Sequence, residues 1–386
     1  MEIYVVKEND SVDSIASKFG VSTMNLVQIN QIQYPYRLAI GQALLIPEEY
    51  NLPDGYAIVN GFAYPFINSW VLEQTLPYLT YLSVFSYGFT MQGYIVYPQV
   101  SDEWMIETAE RFDTVPILTL TPLDEYGRFN NNLITSVVNS EEYTQRLIGE
   151  IKYVLDTKGF GGVDVDFEYI KQEDRDAFTA FVARLREELS PYGYIVTVDL
   201  APKTYAEQPG LLYAGKDYKA LGEAADAVLL MTYEWGYKYG PPLAVAPINK
   251  VREVVEYAVT EIDPAKISLG IPNYGYDWPL PFVGGETAAT TIGNIEAVQI
   301  AIENNAVIMF DETAMSPYFN YERDGIEHVV WFEDVRSVKS KFNLIEEFGL
   351  RGAGYWNIMS WFRPNWELLK STFNIIKKEL PQSDNS

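Results

Sequence analysis

The chain contains no cysteine, which excludes disulfides, thiolate metal sites and a cysteine nucleophile together. It contains one histidine, His328, so a site built from several histidines is impossible, and a Ser-His-Asp triad would have to use that residue. We read His328 as structural. Basic residues are scarce as well: 28 Lys and Arg stand against 53 Asp and Glu, for a formal net charge of −25. A nucleic-acid partner and an anionic membrane each need a basic face, so neither is expected. No apolar run is long enough to cross a bilayer, and the opening MEIYVVKENDSV lacks the basic and apolar regions of a secretory leader. Synthesis in the cytoplasm is therefore expected. What the chain does have is apolar and aromatic material: 48% hydrophobic residues and 15% aromatics in 386 residues, including 29 Tyr and 8 Trp. That is enough core for one large domain plus a small one. The rings can fill a core or stack on the flat faces of sugars.

Residues 1–48 read as a separate module. IYVV (3–6) is a short strand, and SVDSIASKFGV (11–21) sets Val12, Ile15, Ala16 and Phe19 at helical spacing. Ser11 or Asp10 caps that helix and Gly20 stops it. A second helix starts at STMNLVQIN (22–30), and QALLIP (42–47) closes with a strand. This strand-helix-helix-strand order resembles a LysM domain, through Tyr4-Val5-Val6, Asp10-Ser11, Ile15-Ala16, Phe19-Gly20, Leu26, Asn30, Gly41-Gln42 and Ile46-Pro47. Asn9 stands where the usual pattern has glycine, and asparagine also tolerates positive φ. The resemblance implies binding of N-acetylglucosamine-containing glycans, mainly peptidoglycan and chitin. A linker is expected over 49–56.

From 57 to about 380, strands and helices alternate. Strands are expected at Ala57–Tyr64, Leu79–Tyr87, Val115–Leu120, Gly162–Glu168, Tyr194–Leu200, Asp226–Tyr233, Ile267–Pro272 and Gly352–Ile358. The clearest helix is SEEYTQRLIGEIKYVLDTKG (140–159), opened by Ser140 and stopped by Gly159. Eight strands with helices between them predict an α/β fold, a (β/α)8 TIM barrel. The stretch is longer than the roughly 250 residues typical of that fold, so an insertion is expected. The longest gap lies between the seventh and eighth strands. Its strand-like runs and Gly/Pro/Asn turns place a small α+β insertion at about 279–335.

The fourth strand carries the chemistry. In GGVDVDFEYI (161–170), Asp164, Asp166 and Glu168 alternate with Val163, Val165 and Phe167. Residues two apart share a face of a strand. The outer face of a barrel strand must be apolar to meet its helices, so the three acids point inward and climb toward the C-terminal rim, where barrel active sites lie. Carboxylates this close cannot all ionise freely, so at least one pKa should rise, as a general acid working near neutral pH requires.

GGVDVDFE resembles the DGxDxDxE signature of glycoside hydrolase family 18, the chitinase family, with Gly161 in place of the first acid. We expect that change to alter local packing more than chemistry. The resemblance implies substrate-assisted catalysis. Glu168 would protonate the glycosidic oxygen, and Asp166 would orient the 2-acetamido group, whose carbonyl attacks the anomeric carbon. Asp164 would hold Asp166 through a shared proton. Tyr233, in MTYEWG (231–236), would donate to the acetamido oxygen, with Glu234 beside it where the family often has Asp. Trp356, in GYWNIMSW (354–361), would form the floor of the −1 subsite. Tyr274, Tyr276 and Trp278, in GIPNYGYDW (270–278), would line the groove. No metal and no cofactor are implied.

The LysM module, GGVDVDFEYI and the stretch HVVWFEDVRSVKSKFNLIEEFGLRGAGYWNIMSW (328–361) together resemble bacterial spore-cortex hydrolases, the cortical fragment-lytic N-acetylglucosaminidases. That implies a peptidoglycan substrate, deposition on the spore from the mother-cell cytoplasm, and a monomer. A chitinase would use the same residues on another polymer. A non-catalytic glycan-binding protein usually lacks the acid at the position of Glu168, and a metal-dependent deacetylase would want histidine ligands.

Overall fold

The computed structural model describes residues 1–48 and 53–377. The expected linker (49–56) thus lies partly outside the described residues, as do the last three residues of the 57–380 unit.

The first unit forms as its pattern predicts. Strand Ile3–Val5 pairs antiparallel with Ala43–Leu45, and helices Val12–Phe19 and Thr23–Ile29 lie between them. Ser11 caps the first helix by accepting from the Ser14 amide at 3.1 Å, and Gly20 ends it at φ 66°. Asn9 has φ 67°, the left-handed conformation that asparagine tolerates. Asn30 ties the second helix to the closing strand: its amide donates to Leu26 O and Leu45 O, while its Oδ1 accepts from Leu45 N at 2.7 Å. Ile15, Leu26, Leu44 and Ile46 form the core.

Eight parallel strands then close into a barrel: Gly55–Ala63, Tyr81–Phe89, Val115–Leu120, Gly162–Val165, Ile195–Leu200, Ala227–Leu230, Ile267–Pro272 and Gly352–Trp356. Each pairs with the next, and the eighth pairs back onto the first. The fourth strand's regular pairing stops at Val165, three residues earlier than expected, although Asp166 N still donates to Leu120 O at 3.0 Å. Helix Glu141–Lys158 has Ser140 and Gly159 as its caps.

The segment between the seventh and eighth strands builds a five-stranded antiparallel sheet, in the order Thr290–Ile292, Gly275–Pro279, Ile326–Trp331, Ser316–Arg323 and Met309–Asp311, with helix Asn294–Glu303. The sheet begins at Gly275, ahead of the expected 279. Gly275 fits there because a Cβ would lie 2.4 Å from Trp331 O, so the two strands meet too closely for a side chain. His328 sits in this sheet, its Nδ1 2.8 Å from Asp277 Oδ1, with Tyr321 donating to Asp277 Oδ2 at 2.6 Å.

The N-terminal unit is docked on the rest of the chain. Ile308 N donates to Ile40 O at 2.9 Å, Arg336 to Gly41 O at 3.2 Å and Arg37 to Ile302 O at 3.1 Å. Arg363 N donates to Gln31 Oε1 at 2.5 Å. Gly41 permits the contact: it has φ 84°, and a Cβ there would lie 1.9 Å from Ile308 O. Gly41→Ala should therefore open this junction while leaving the barrel folded. Hydrogen exchange read at the Ile308 amide should accelerate at least about tenfold, the loss of roughly 1.4 kcal/mol of local protection. Unchanged protection there would show that the close approach does not hold the two units together.

Candidate active site

The alternation in the fourth strand resolves as two faces. Val163, Val165 and Phe167 are fully buried in the outer core. Phe167 lies 5.7 Å from Phe178 and 6.0 Å from Phe181, on the helix Arg175–Leu189 that covers this side. Asp164 and Asp166 face inward and are buried; Glu168, at the rim, is part-exposed and lines a groove of about 610 Å³. Asp166, Asp199, Tyr233, Glu234 and Trp356 line the same groove.

Asp164 is the deepest acid. It accepts from Thr197 Oγ1 at 2.5 Å, and burial pushes its carboxyl up to about 6. Its carboxyl partner is Asp199, on the fifth strand, within hydrogen-bonding reach; neither Asp164 Oδ2 nor Asp199 Oδ1 has a fixed donor, so a proton shared between them satisfies both. The carboxyl that Asp164 meets is thus that of Asp199 rather than the expected Asp166, whose Oδ1 likewise has no fixed donor. Parallel pairing sets Asp164 beside Thr197 and Val165 beside Val198, so Asp199 follows one inward position higher, at the level of Asp166, and its carboxyl reaches back to Asp164. Burial, then the negative charges of Glu168 and Asp164, pushes the Asp166 carboxyl well above the ordinary aspartate range. Asp199 rises for the same reason, with Asp164 and Asp166 adding to burial. Three acids with high proton affinity therefore meet beneath the groove. Asp199 was legible: in IVTVDL, Thr197 and Asp199 occupy alternate positions on the inward face. Lys216, fully buried under the same cluster, lies in a loop with no periodicity to mark it.

Tyr233 stands half-buried at the end of the sixth strand. Gly270 opposite leaves it room, since a Cβ there would lie 2.8 Å from the ring. Burial and the surrounding carboxylates raise its phenol, so it remains a donor. Trp356 closes the floor with Phe85 at 4.9 Å and Phe62 at 5.9 Å between ring centres. Glu234, at φ 70°, accepts from the hydroxyls of Tyr274 and, at 2.8 Å, Tyr276.

Two expected groove residues are elsewhere. Trp278 is 0% exposed, and its indole N–H donates to Gly240 O at 3.0 Å, so no sugar reaches its face. Tyr274 is buried with its hydroxyl on Glu234; it supports the wall, and Tyr276 lines it. Tyr274, Tyr276 and Trp278 share one face of this stretch, and what covers that face separates them: Trp278 is held under Gly240 and Tyr274 under Glu234, which leaves Tyr276 on the groove. Gly161 is explained by packing: a Cβ there would lie 2.2 Å from Val115 Cγ1.

Burying Asp164 has a stability consequence. Its folded-state value of about 6 lies above the ordinary 3.8. A raised acid contributes stability below its unfolded pKa and loses it as pH rises through the folded one, here between about 4 and 6. The loss amounts to at most ~3 kcal/mol above that window. Asp164→Asn should thus raise the unfolding free energy by about 1–3 kcal/mol near neutral pH. The gain should vanish near pH ~4, where the native acid is already neutral. Denaturant titrations at the two pH values check this; an equal gain at both would mean that charge burial is not its cause.

Similarity to known proteins agrees with this geometry. Residues 127–360 match the glycosyl hydrolases family 18, and residues 4–47 match the LysM domain. A cortical fragment-lytic enzyme of Bacillus subtilis (strain 168) is 40% identical, over 98% of this chain and 99% of its own length. The crystal structure of the Bacillus cereus spore cortex-lytic enzyme SleL has a TM-score of 0.81 at 34% identity, covering 98% of this chain and 88% of that one. A chitinase from Chromobacterium violaceum ATCC 12472 has a TM-score of 0.75 at 26% identity, covering 82% and 98%. The signature acids on the fourth strand of a closed barrel and the extent of these matches lead to one conclusion: the chain belongs to glycosyl hydrolases family 18 and carries a LysM domain at its N-terminal end.

Proposed function

We propose that the protein is a spore-cortex N-acetylglucosaminidase. It cleaves the β-1,4 bond after N-acetylglucosamine in cortex peptidoglycan, with retention of configuration. The observation that carries this reading is the 40% identity, over nearly the full length of both chains, to a cortical fragment-lytic enzyme. The site supplies a matching mechanism. Glu168, part-exposed on the groove, is the acid that protonates the leaving oxygen and then the base that activates water. Asp166 orients the 2-acetamido group and offsets the positive charge of the oxazolinium-like intermediate. Asp164 and Asp199 form the proton-sharing pair beside Asp166. Tyr233 donates to the acetamido oxygen, Trp356 underlies the −1 sugar, and Glu234 is held by two tyrosines at the groove wall.

The LysM domain binds the same class of polymer, N-acetylglucosamine-containing glycan, and keeps the wall near the groove. The protein acts as a monomer on the spore, placed there after synthesis in the mother cell. A second reading, chito-oligosaccharide hydrolysis, is favoured by the likeness to the chitinase from Chromobacterium violaceum.

Glu168→Gln should reduce turnover by at least ~10³-fold and leave glycan binding within a few-fold, because the amide keeps the shape but cannot deliver the proton. Turnover comparable to the unsubstituted enzyme would remove Glu168 from the mechanism. Mass spectrometry of purified cortex fragments after incubation should show new reducing ends of N-acetylglucosamine. Intact cortex fragments beside cleaved chito-oligosaccharides would move the assignment to the second reading.

A further inference from the structure

Lys216 is sealed beneath the groove. It is 1% exposed, in a loop that leads into helix Tyr218–Ala224. The loop is pinned from both sides. A Cβ on Gly215 would lie 2.3 Å from Ile170 O, just past the catalytic segment. Lys216 O accepts from Lys203 Nζ at 2.8 Å, and the Tyr218 hydroxyl donates to Ala201 O at 2.5 Å. The Lys216 ammonium carries three donors; Asp199 O takes one, at 3.2 Å. Burial lowers the proton affinity of its amine, and Asp166 and Glu168 from the fourth strand's end, with Asp199 from the fifth, oppose that by favouring the ammonium. Asp164 lies beyond Asp199, and Tyr233 and Glu234 approach from the sixth strand's end. A buried ammonium is costly unless negative charge faces it. Here burial sets the cost, and the negative charge of the neighbouring carboxyl groups offsets it.

We propose that Lys216 is a positioning residue for the glycosidase reaction, its ammonium supplying the positive charge that keeps negative charge on the Asp166–Asp199 pair. The proposal rests on the glycosidase reading for its catalytic meaning and on the burial geometry for its physical basis. An ionised Asp166 offsets the cation that forms when the acetamido carbonyl attacks. A fully protonated cluster cannot. Lys216 lowers the proton affinity of both Asp166 and Asp199 from below the groove, where substrate does not displace it.

The sign of its removal follows. Without the ammonium, Asp166 and Asp199 hold protons to higher pH. The acid limb of kcat/KM, which requires the ionised cluster, should move to higher pH by about one unit or more. The test is an infrared titration of the buried carboxyl carbonyl band in wild type, K216M, K216R and K216M/D199N, run beside kcat/KM against pH on purified cortex fragments. In K216M the band should titrate about one pH unit or more above wild type, with the acid limb following it. K216R, which keeps the charge, and K216M/D199N, which removes one charge of each sign, should lie nearer wild type.

An unchanged band in K216M overturns the proposal, whether or not the wild type cleaves the fragments. A wild type that leaves the fragments intact overturns the glycosidase reading alone. Where K216M fails to melt cooperatively, K216R and K216M/D199N decide: both near the wild-type titration supports the proposal, and K216R displaced from it overturns it.

Discussion

The burial of several carboxyl groups at one level of a barrel is the constraint on which the rest of this structure depends. Asp164 is desolvated at the lower level, and Asp166 and Asp199 are desolvated just above it. Left as free anions they would oppose folding by several kcal/mol each. The barrel meets that demand with local means: a threonine hydroxyl, a shared proton and a buried lysine. A site built only for stability would have used apolar side chains there.

Much of this was legible in the sequence because a barrel strand has a strict period of two. Val163, Val165 and Phe167 had to meet the helix layer, which fixed where Asp164, Asp166 and Glu168 point. The same period in IVTVDL marks Asp199. Periodicity is silent elsewhere. Lys216 lies in a loop whose course depends on contacts with Ile170 and Lys203, which are distant in sequence. Tyr274, Tyr276 and Trp278 share one face, but how much of that face meets the groove depends on Glu234 and Gly240, which cover Tyr274 and Trp278 from a loop some forty residues earlier in the chain. Gly161 is similar: its meaning lies in the side chain of Val115 on a neighbouring strand.

The N-terminal unit poses a different question, because it is docked on the rest of the chain. Ile40 and Gly41 meet Ile308 and Arg336, and Gln31 meets Arg363. A tether raises local concentration of a polymer without fixing its direction. A docked module also fixes the angle at which a bound strand leaves it. The positive φ of Gly41 and the absent Cβ are the local conditions for that arrangement.

The antiparallel sheet connects the two. Its far strand side and its helix receive the N-terminal unit, through Ile302 and Ile308. Its strand Gly275–Pro279 supplies Tyr276, whose hydroxyl holds Glu234 at the groove wall. Between these ends the sheet is continuous, paired from Tyr276 through Trp331 to Tyr318, with Trp331 and Tyr318 stacked at 4.5 Å. A packed sheet transmits position far better than a loop does. The insertion is therefore more than a wall beside the groove: the same rigid element that seats the glycan-binding unit also sets the hydroxyl that positions Glu234, so the two units share one frame of reference.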